Sequence, residues 1–173
     1  MVLSNPGLSS AWHGWRNLLA ISCLTLFLAA CGQEQAANTA AASTDLPTAI
    51  VYKSPTCSCC SKWVDHLRSF GFPVQVREPS DLSEVKEKYR VPDDMRSCHT
   101  AVIDGYVIEG HVPASDIQRL LRERPEAIGL SVPGMPLGSP GMEVDNRQQA
   151  YTVWLLQESG KQAFSQYLAK NLD

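Results

Sequence analysis

The chain has 173 residues, room for one compact domain of ordinary size with something appended to it. Apolar residues at 44% and charged residues at 19% suit a chain that buries a core. Fifteen basic and eighteen acidic side chains leave a formal charge of −3 with no basic tract, which argues against nucleic acid as the main partner. The six cysteines are too few for a disulfide-dense miniprotein, and they are clustered rather than scattered.

In chain order, Leu18 to Ala30 (LLAISCLTLFLAA) carries no charge and follows Arg16. That length suits the apolar region of an export signal and falls short of the about 20 residues a membrane-spanning helix needs. It ends in Leu28-Ala29-Ala30-Cys31-Gly32, which resembles the lipobox of bacterial lipoproteins. Residues 1–30 are therefore expected to be a signal peptide, with Cys31 acylated and anchoring the protein on a membrane facing the periplasm. Gly32 in place of Asp favours the outer membrane of a host that has one. Residues 31–46, polar and alanine-rich, read as a flexible tether, and 47–173 as the folded domain.

Within that domain Thr48 to Lys53 reads as a buried strand stopped by Ser54-Pro55. Ser58 to Phe70 reads as a helix presenting Trp63, Leu67 and Phe70 inward and ending at Gly71. Pro73 to Arg77 is a second strand, and Ser80 to Tyr89 a second helix with Ser80 as its cap. Thr100 to Ile103 and Tyr106 to Val112 flank Asp104-Gly105, a strong hairpin signal. Pro113 starts a helix over Ala114 to Arg122 with Ile117, Leu120 and Leu121 inward. Arg124 to Gln149, with four prolines and four glycines, reads as a long loop. A hairpin of Tyr151–Gln157 and Gln162–Tyr167 closes the chain, with a C-terminal helix as the alternative for its second arm. The order β-α-β-α-β-β-α is thioredoxin-like, and the right-handed crossover rule leaves few other packings. It brings Cys57–Cys60, Cys98-His99 and His111 to one edge of the sheet.

Cys57-Ser58-Cys59-Cys60 joins the first strand to the first helix, where the helix dipole and free N–H groups favour thiolate. Cys57 and Cys60 have the spacing of a redox pair, and Cys59 is one thiol more than that reaction needs. A fourth soft donor from Cys98 fits a metal site better, with structural disulfides as the bland alternative in an oxidising compartment. Thioether and thiolate together select Cu(I), so Met135 and Met142 on the long loop favour copper over zinc, the alternative ion. His111 ends a strand at the site edge and is a candidate ligand, and His99 either ligates or faces away. His66, roughly 10 Å along the helix from the thiols at 1.5 Å per residue, reads as a surface or packing histidine. Trp63 reads as core.

Four motifs in order, CSCC, SCHT (97–100), EGHVPA (109–114) and VPGMPLGSPGME (132–143), resemble the periplasmic CopG-type copper-resistance proteins over about residues 48 to 167. The resemblance implies a thioredoxin-like, copper-binding protein of copper or heavy-metal resistance, and further a role in changing the oxidation state of copper. It carries Cys57, Cys59, Cys60 and Cys98 over as metal-site thiols, and His111, Met135 and Met142 as motif members. It also implies partners among other periplasmic copper-handling proteins. Where thioredoxins have a cis-proline before the third strand, this chain has Cys98-His99-Thr100. That departure weakens the rival reading, a thiol–disulfide oxidoreductase using Cys57 and Cys60.

Overall fold

The computed structural model describes residues 46–170. The expected signal peptide 1–30, the acylated Cys31 and all but the last residue of the tether lie outside the described residues. Among those described, no helix is long and apolar enough to cross a membrane.

Seven strands form one sheet: β1 (Ala49–Lys53), β2 (Val74–Arg77), β3 (His99–Ile103), β4 (Tyr106–Gly110), β5 (Gly129–Val132), β6 (Tyr151–Gln157) and β7 (Gly160–Tyr167). Their spatial order is β2-β1-β3-β4-β5-β6-β7. β1 runs parallel to β2 and β4 parallel to β5; every other pairing is antiparallel. Among the described residues three α-helices, α1 (Ser58–Ser69), α2 (Leu82–Lys88) and α3 (Ala114–Glu123), follow β1, β2 and β4. The protein is thus a mixed α/β domain, and its first seven elements are compatible with the thioredoxin-like order.

The core lies where α1 and α3 cover the sheet. Trp63 and Leu67 of α1 and Ile117 and Leu120 of α3 are buried against Val51, Ala101, Ile103, Ile108, Leu130 and Val153. Two long-range bonds fix these helices. Trp63 Nε1 donates to the Val112 carbonyl at 2.9 Å, and the Ala114 N–H at the start of α3 donates to His66 Nε2 at 3.0 Å. His66 therefore serves as a packing and capping histidine, which also satisfies one of the unpaired donors at a helix N-terminus.

Three expectations need correction. Phe70 is not on the buried face: it is the C-cap of α1 and 43% exposed, and Cys60, Trp63, Val64 and Leu67 form the inner stripe. Asp81, not Ser80, caps α2, its carboxylate accepting the Ser83 N–H at 2.7 Å. The segment 124–149 is not one loop, because β5 is cut from it, buried throughout between β4 and β6. Four residues that open on a glycine and run into Pro133-Gly134 carry too little periodicity to announce a strand, and a parallel pairing with β4 gives no local turn signal. The remaining connection, residues 133–150, runs from β5 to β6. The last arm is strand β7 rather than helix.

Register sets the site. Lys53, the last residue of β1, pairs with His99, the first of β3, and Thr100 pairs with Glu109 near the end of β4. The N-terminus of α1, the entry to β3 and the exit of β4 therefore share one sheet edge.

Candidate metal centre

Cys57 is the N-cap of α1, with extended backbone, and its sulfur accepts the Cys60 N–H at 3.3 Å. The cap places three thiols on one turn. Cys57 and Cys60 are joined as a disulfide with Cα atoms 5.4 Å apart, while Cys59 and Cys98 are free. Cys59 Sγ lies 3.5 Å from Cys57 Sγ, and the Cys60 sulfur lies 3.8 Å from the Cys98 carbonyl oxygen. The sulfurs of Cys57, Cys59, Cys60 and Cys98 all fall within 4.8 Å of one another.

A second group shares one of these sulfurs. Cys98 Sγ is 3.2 Å from His99 Nδ1 and 3.1 Å from His111 Nε2, and these three donors also lie within 4.8 Å of one another. His111 Nδ1 donates to the Pro140 carbonyl at 2.8 Å. A carbonyl can only accept, so the proton sits on Nδ1 and Nε2 turns a lone pair toward Cys98. His99 is fully buried between Trp63 (ring centroids 4.3 Å apart) and His111 (5.0 Å), and its Nε2 has no hydrogen-bond partner.

The connection 133–150 folds back over this edge. Gly134 donates its N–H to the Arg96 carbonyl and accepts the Ser97 hydroxyl, and Pro140 orients His111. Gly141 follows at φ +85° and lies so close to α1 that a Cβ there would meet the Cys59 carbonyl oxygen at 2.7 Å and the Trp63 nitrogen at 2.9 Å. Only glycine lets the backbone come this near. The Glu143 carboxylate then accepts the Gly141 N–H.

The fold is similar to that of known structures. Two, described as “Copper resistance protein copG” in Form 1 and Form 2, are each 47% identical to this chain with a TM-score of 0.68. The alignments cover 71% and 70% of this chain and 98% of each of those chains. The chain belongs to the CopG copper-resistance family. A family described as “Protein of unknown function, DUF411” matches residues 95–142, the stretch holding Cys98, both site histidines and much of the covering connection. No curated protein matches.

Burial governs the protonation of this CopG-family site. It pushes the Cys98 thiol up to about 11, with the neighbouring Cys59 thiol adding to the rise. It pushes His99 well below the ordinary histidine range, helped by His111 and the Lys86 ammonium. It also lowers His111, more than the Pro140 carbonyl and the Glu143 charge raise it. Near neutral pH the site therefore offers neutral imidazoles and a protonated Cys98 that must lose its proton to become a strong ligand. The free thiols of Cys59 and Cys98, two more once the Cys57–Cys60 disulfide is reduced, and two neutral imidazoles, one with an unpartnered buried nitrogen, suit a soft or borderline ion such as Cu(I) or Zn(II).

Of the residues singled out from sequence, Cys57, Cys59, Cys60, Cys98 and His111 come together. His99, left open there, joins them. The two methionines differ: Met142 is half-buried next to Gly141, whereas Met135 is 51% exposed between Gly134 and Pro136. Sequence reasoning missed a buried polar group behind Cys98. The Glu109 carboxylate, with no exposure, accepts from Lys86 Nζ at 2.6 Å, the Ser97 N–H at 2.6 Å and the Thr100 hydroxyl at 2.6 Å. The available signal was a glutamate in an otherwise apolar strand (YVIEG).

Proposed function

We propose that this protein captures copper as Cu(I) at the joined thiol and imidazole groups, in the service of copper resistance. The observation that carries the reading is Cys98, whose sulfur stands in both donor groups and is placed to bridge ions held on either side. The names of its relatives as copper-resistance proteins support copper over zinc, although a four-cysteine set is equally a zinc set by chemistry alone. Met142, beside the glycine that rests on the Cys59 carbonyl, is the better-placed thioether donor, with the exposed Met135 an outer contact for incoming metal. Export and anchoring through Cys31 belong to the same proposal, with other periplasmic copper-handling proteins as donors or acceptors of the ion.

The Cys57–Cys60 disulfide extends the reading to redox chemistry. Two thiols that close to a disulfide release two electrons and two protons. Those electrons reduce two Cu(II) to Cu(I), and the reverse reaction oxidises the metal and restores the thiols. The disulfide at a helix N-terminus also favours a second reading, a thiol–disulfide oxidoreductase in which Cys57 attacks and Cys60 resolves.

Anaerobic loading with Cu(I) and Zn(II) in competition tests the first reading. Copper should displace zinc in the wild type, and Cys59→Ser should lose most Cu(I) affinity while keeping the Cys57/Cys60 disulfide. Disulfide-reductase turnover at thioredoxin-like rates, undiminished in Cys59→Ser and without bound copper, would establish the second reading instead.

A further inference from the structure

The Lys86–Glu109 pair is the most deeply buried ion pair among the described residues, with side-chain exposures of 8% and 0%. Desolvating two charges costs several kcal/mol per ion, and well-packed apolar residues of similar volume often serve stability equally well. Stability alone therefore does not explain it, and its connections do. Glu109 lies on β4 two residues before His111 and directly opposite Thr100 in register. Its Oε1 reaches across to the Ser97 N–H, one residue before Cys98. Its Oε2 takes the Thr100 hydroxyl proton, and the Thr100 oxygen in turn accepts from Lys86 Nζ at 3.0 Å. Lys86 thereby closes a triangle that leaves the carboxylate no freedom to rotate. Ser97 passes the constraint outward, its hydroxyl donating to the Gly134 carbonyl of the covering connection. One carboxylate thus ties together the segments that supply Cys98 and His111.

We propose that Glu109 is a positioning residue of the metal site. By holding the Ser97 amide it fixes the Cys98 sulfur at the point where the two imidazoles and the three sulfurs of Cys57, Cys59 and Cys60 meet. Lys86 compensates the buried charge and holds the carboxylate in that rotamer. The proposal rests on the copper-binding reading for its metal readout, and it has an apo readout that does not. Outer partners of metal ligands are worth about 10–100-fold in affinity, which sets the expected size.

Two variants separate reach from charge. Glu109→Asp keeps the charge for Lys86 but withdraws the oxygen from Ser97 by one methylene. Lys86→Met/Glu109→Gln removes both charges but keeps an oxygen at the length that reaches Ser97. Cu(I) affinity is read by competition with a chromophoric chelator, and the number of coordinating sulfurs by X-ray absorption. Cys98 alkylation in the metal-free protein is read by mass spectrometry with Cys59 as internal control. Glu109→Asp should lose about tenfold in Cu(I) affinity together with one sulfur neighbour, and alkylate Cys98 several-fold faster with Cys59 unchanged. The double variant should stay within about threefold of wild type in both readouts, well below the outer-partner range. Wild-type affinity and Cys98 reactivity in Glu109→Asp would overturn the proposal, as would an equal loss in the double variant. A wild type that takes no Cu(I) overturns the copper reading alone, and the alkylation comparison then still decides the role of Glu109.

Discussion

The two donor groups that meet at Cys98 are built in opposite ways. Cys57, Cys59 and Cys60 come from four consecutive residues on one helical turn, and two of them already hold each other as a disulfide. Cys98, His99 and His111 come from the entry to β3 and the exit of β4, depend on the register of β3 against β4, and are held by a carbonyl of a distant connection and a buried carboxylate. The first group is local, partly exposed and close to a favourable helix dipole. The second is non-local, mostly buried and electrostatically costly. A local group can exchange partners without disturbing the fold, whereas the non-local group reports any change in how the sheet and its cover fit together.

The sharpest way to break this comparison is Cys98→Ser, which removes the shared sulfur. Cu(I) affinity should fall by more than the roughly 10–100-fold of an outer partner, and by more than in Cys59→Ser, as read by chelator competition. A smaller loss than in Cys59→Ser would mean that the local thiols form the site alone. The pH dependence follows from the same sulfur. Its pKa of about 11 makes it a thiol near neutrality, so binding must displace a proton. Between pH 6 and 9 the Cys98 proton should add about tenfold in affinity per pH unit, and Cys98→Ser should lower that slope by one proton.

Gly141→Ala tests the cover. At φ +85° and with a Cβ forced onto the Cys59 carbonyl, it should destabilise by at least the about 1–2 kcal/mol of a left-handed residue. It should also shift the His111 ring resonances, because Pro140 must move; denaturant melts and NMR check the two effects.

A smaller effect is expected in the metal-free protein on acidification. His66, His99 and His111 all have pKa values lowered mainly by burial. The unfolded chain, with ordinary histidines near 6.5, then binds more protons than the folded one. Their burial costs nothing above that pH, and stability should decline as pH falls through it. The melting temperature at pH 5 should lie below that at pH 7.5, and bound metal should widen the gap between loaded and apo protein at the higher pH. Smallest of all, Met135→Leu at an exposed position should change stability by no more than about 0.5 kcal/mol, so any loss of Cu(I) affinity in it reports the thioether itself.

The local group was legible in the sequence for the reason that makes it local. CSCC after a β-branched run and before an amphipathic helix needs no long-range information. The Asp104-Gly105 turn was legible likewise, both residues taking positive φ as the hairpin demands. His111 was placed because a hairpin fixes where its strands end. His99 stayed open because only the packing of Trp63 and the absence of a partner on Nε2 give its ring a direction. β5 was hidden since four residues of a doubly covered parallel strand look like any short apolar run. Glu109 was hidden because its three donors come from α2, β3 and Ser97 ahead of β3, a meeting that no periodicity encodes.

β5 and β6 are hydrogen-bonded neighbours, with Ser131 opposite Trp154, so residues 133–150 begin and end on adjacent strands. The cover is topologically an overgrown hairpin, its two feet on neighbouring strands about 5 Å apart in the same sheet. A flap of that kind has no free end and no single hinge about which to swing. Uncovering the metal site must then proceed by flexing within the ring of eighteen residues while both feet stay planted. Such a movement leaves the sheet register intact, and it lets an ion enter or leave without the buried half of the site ever losing its frame.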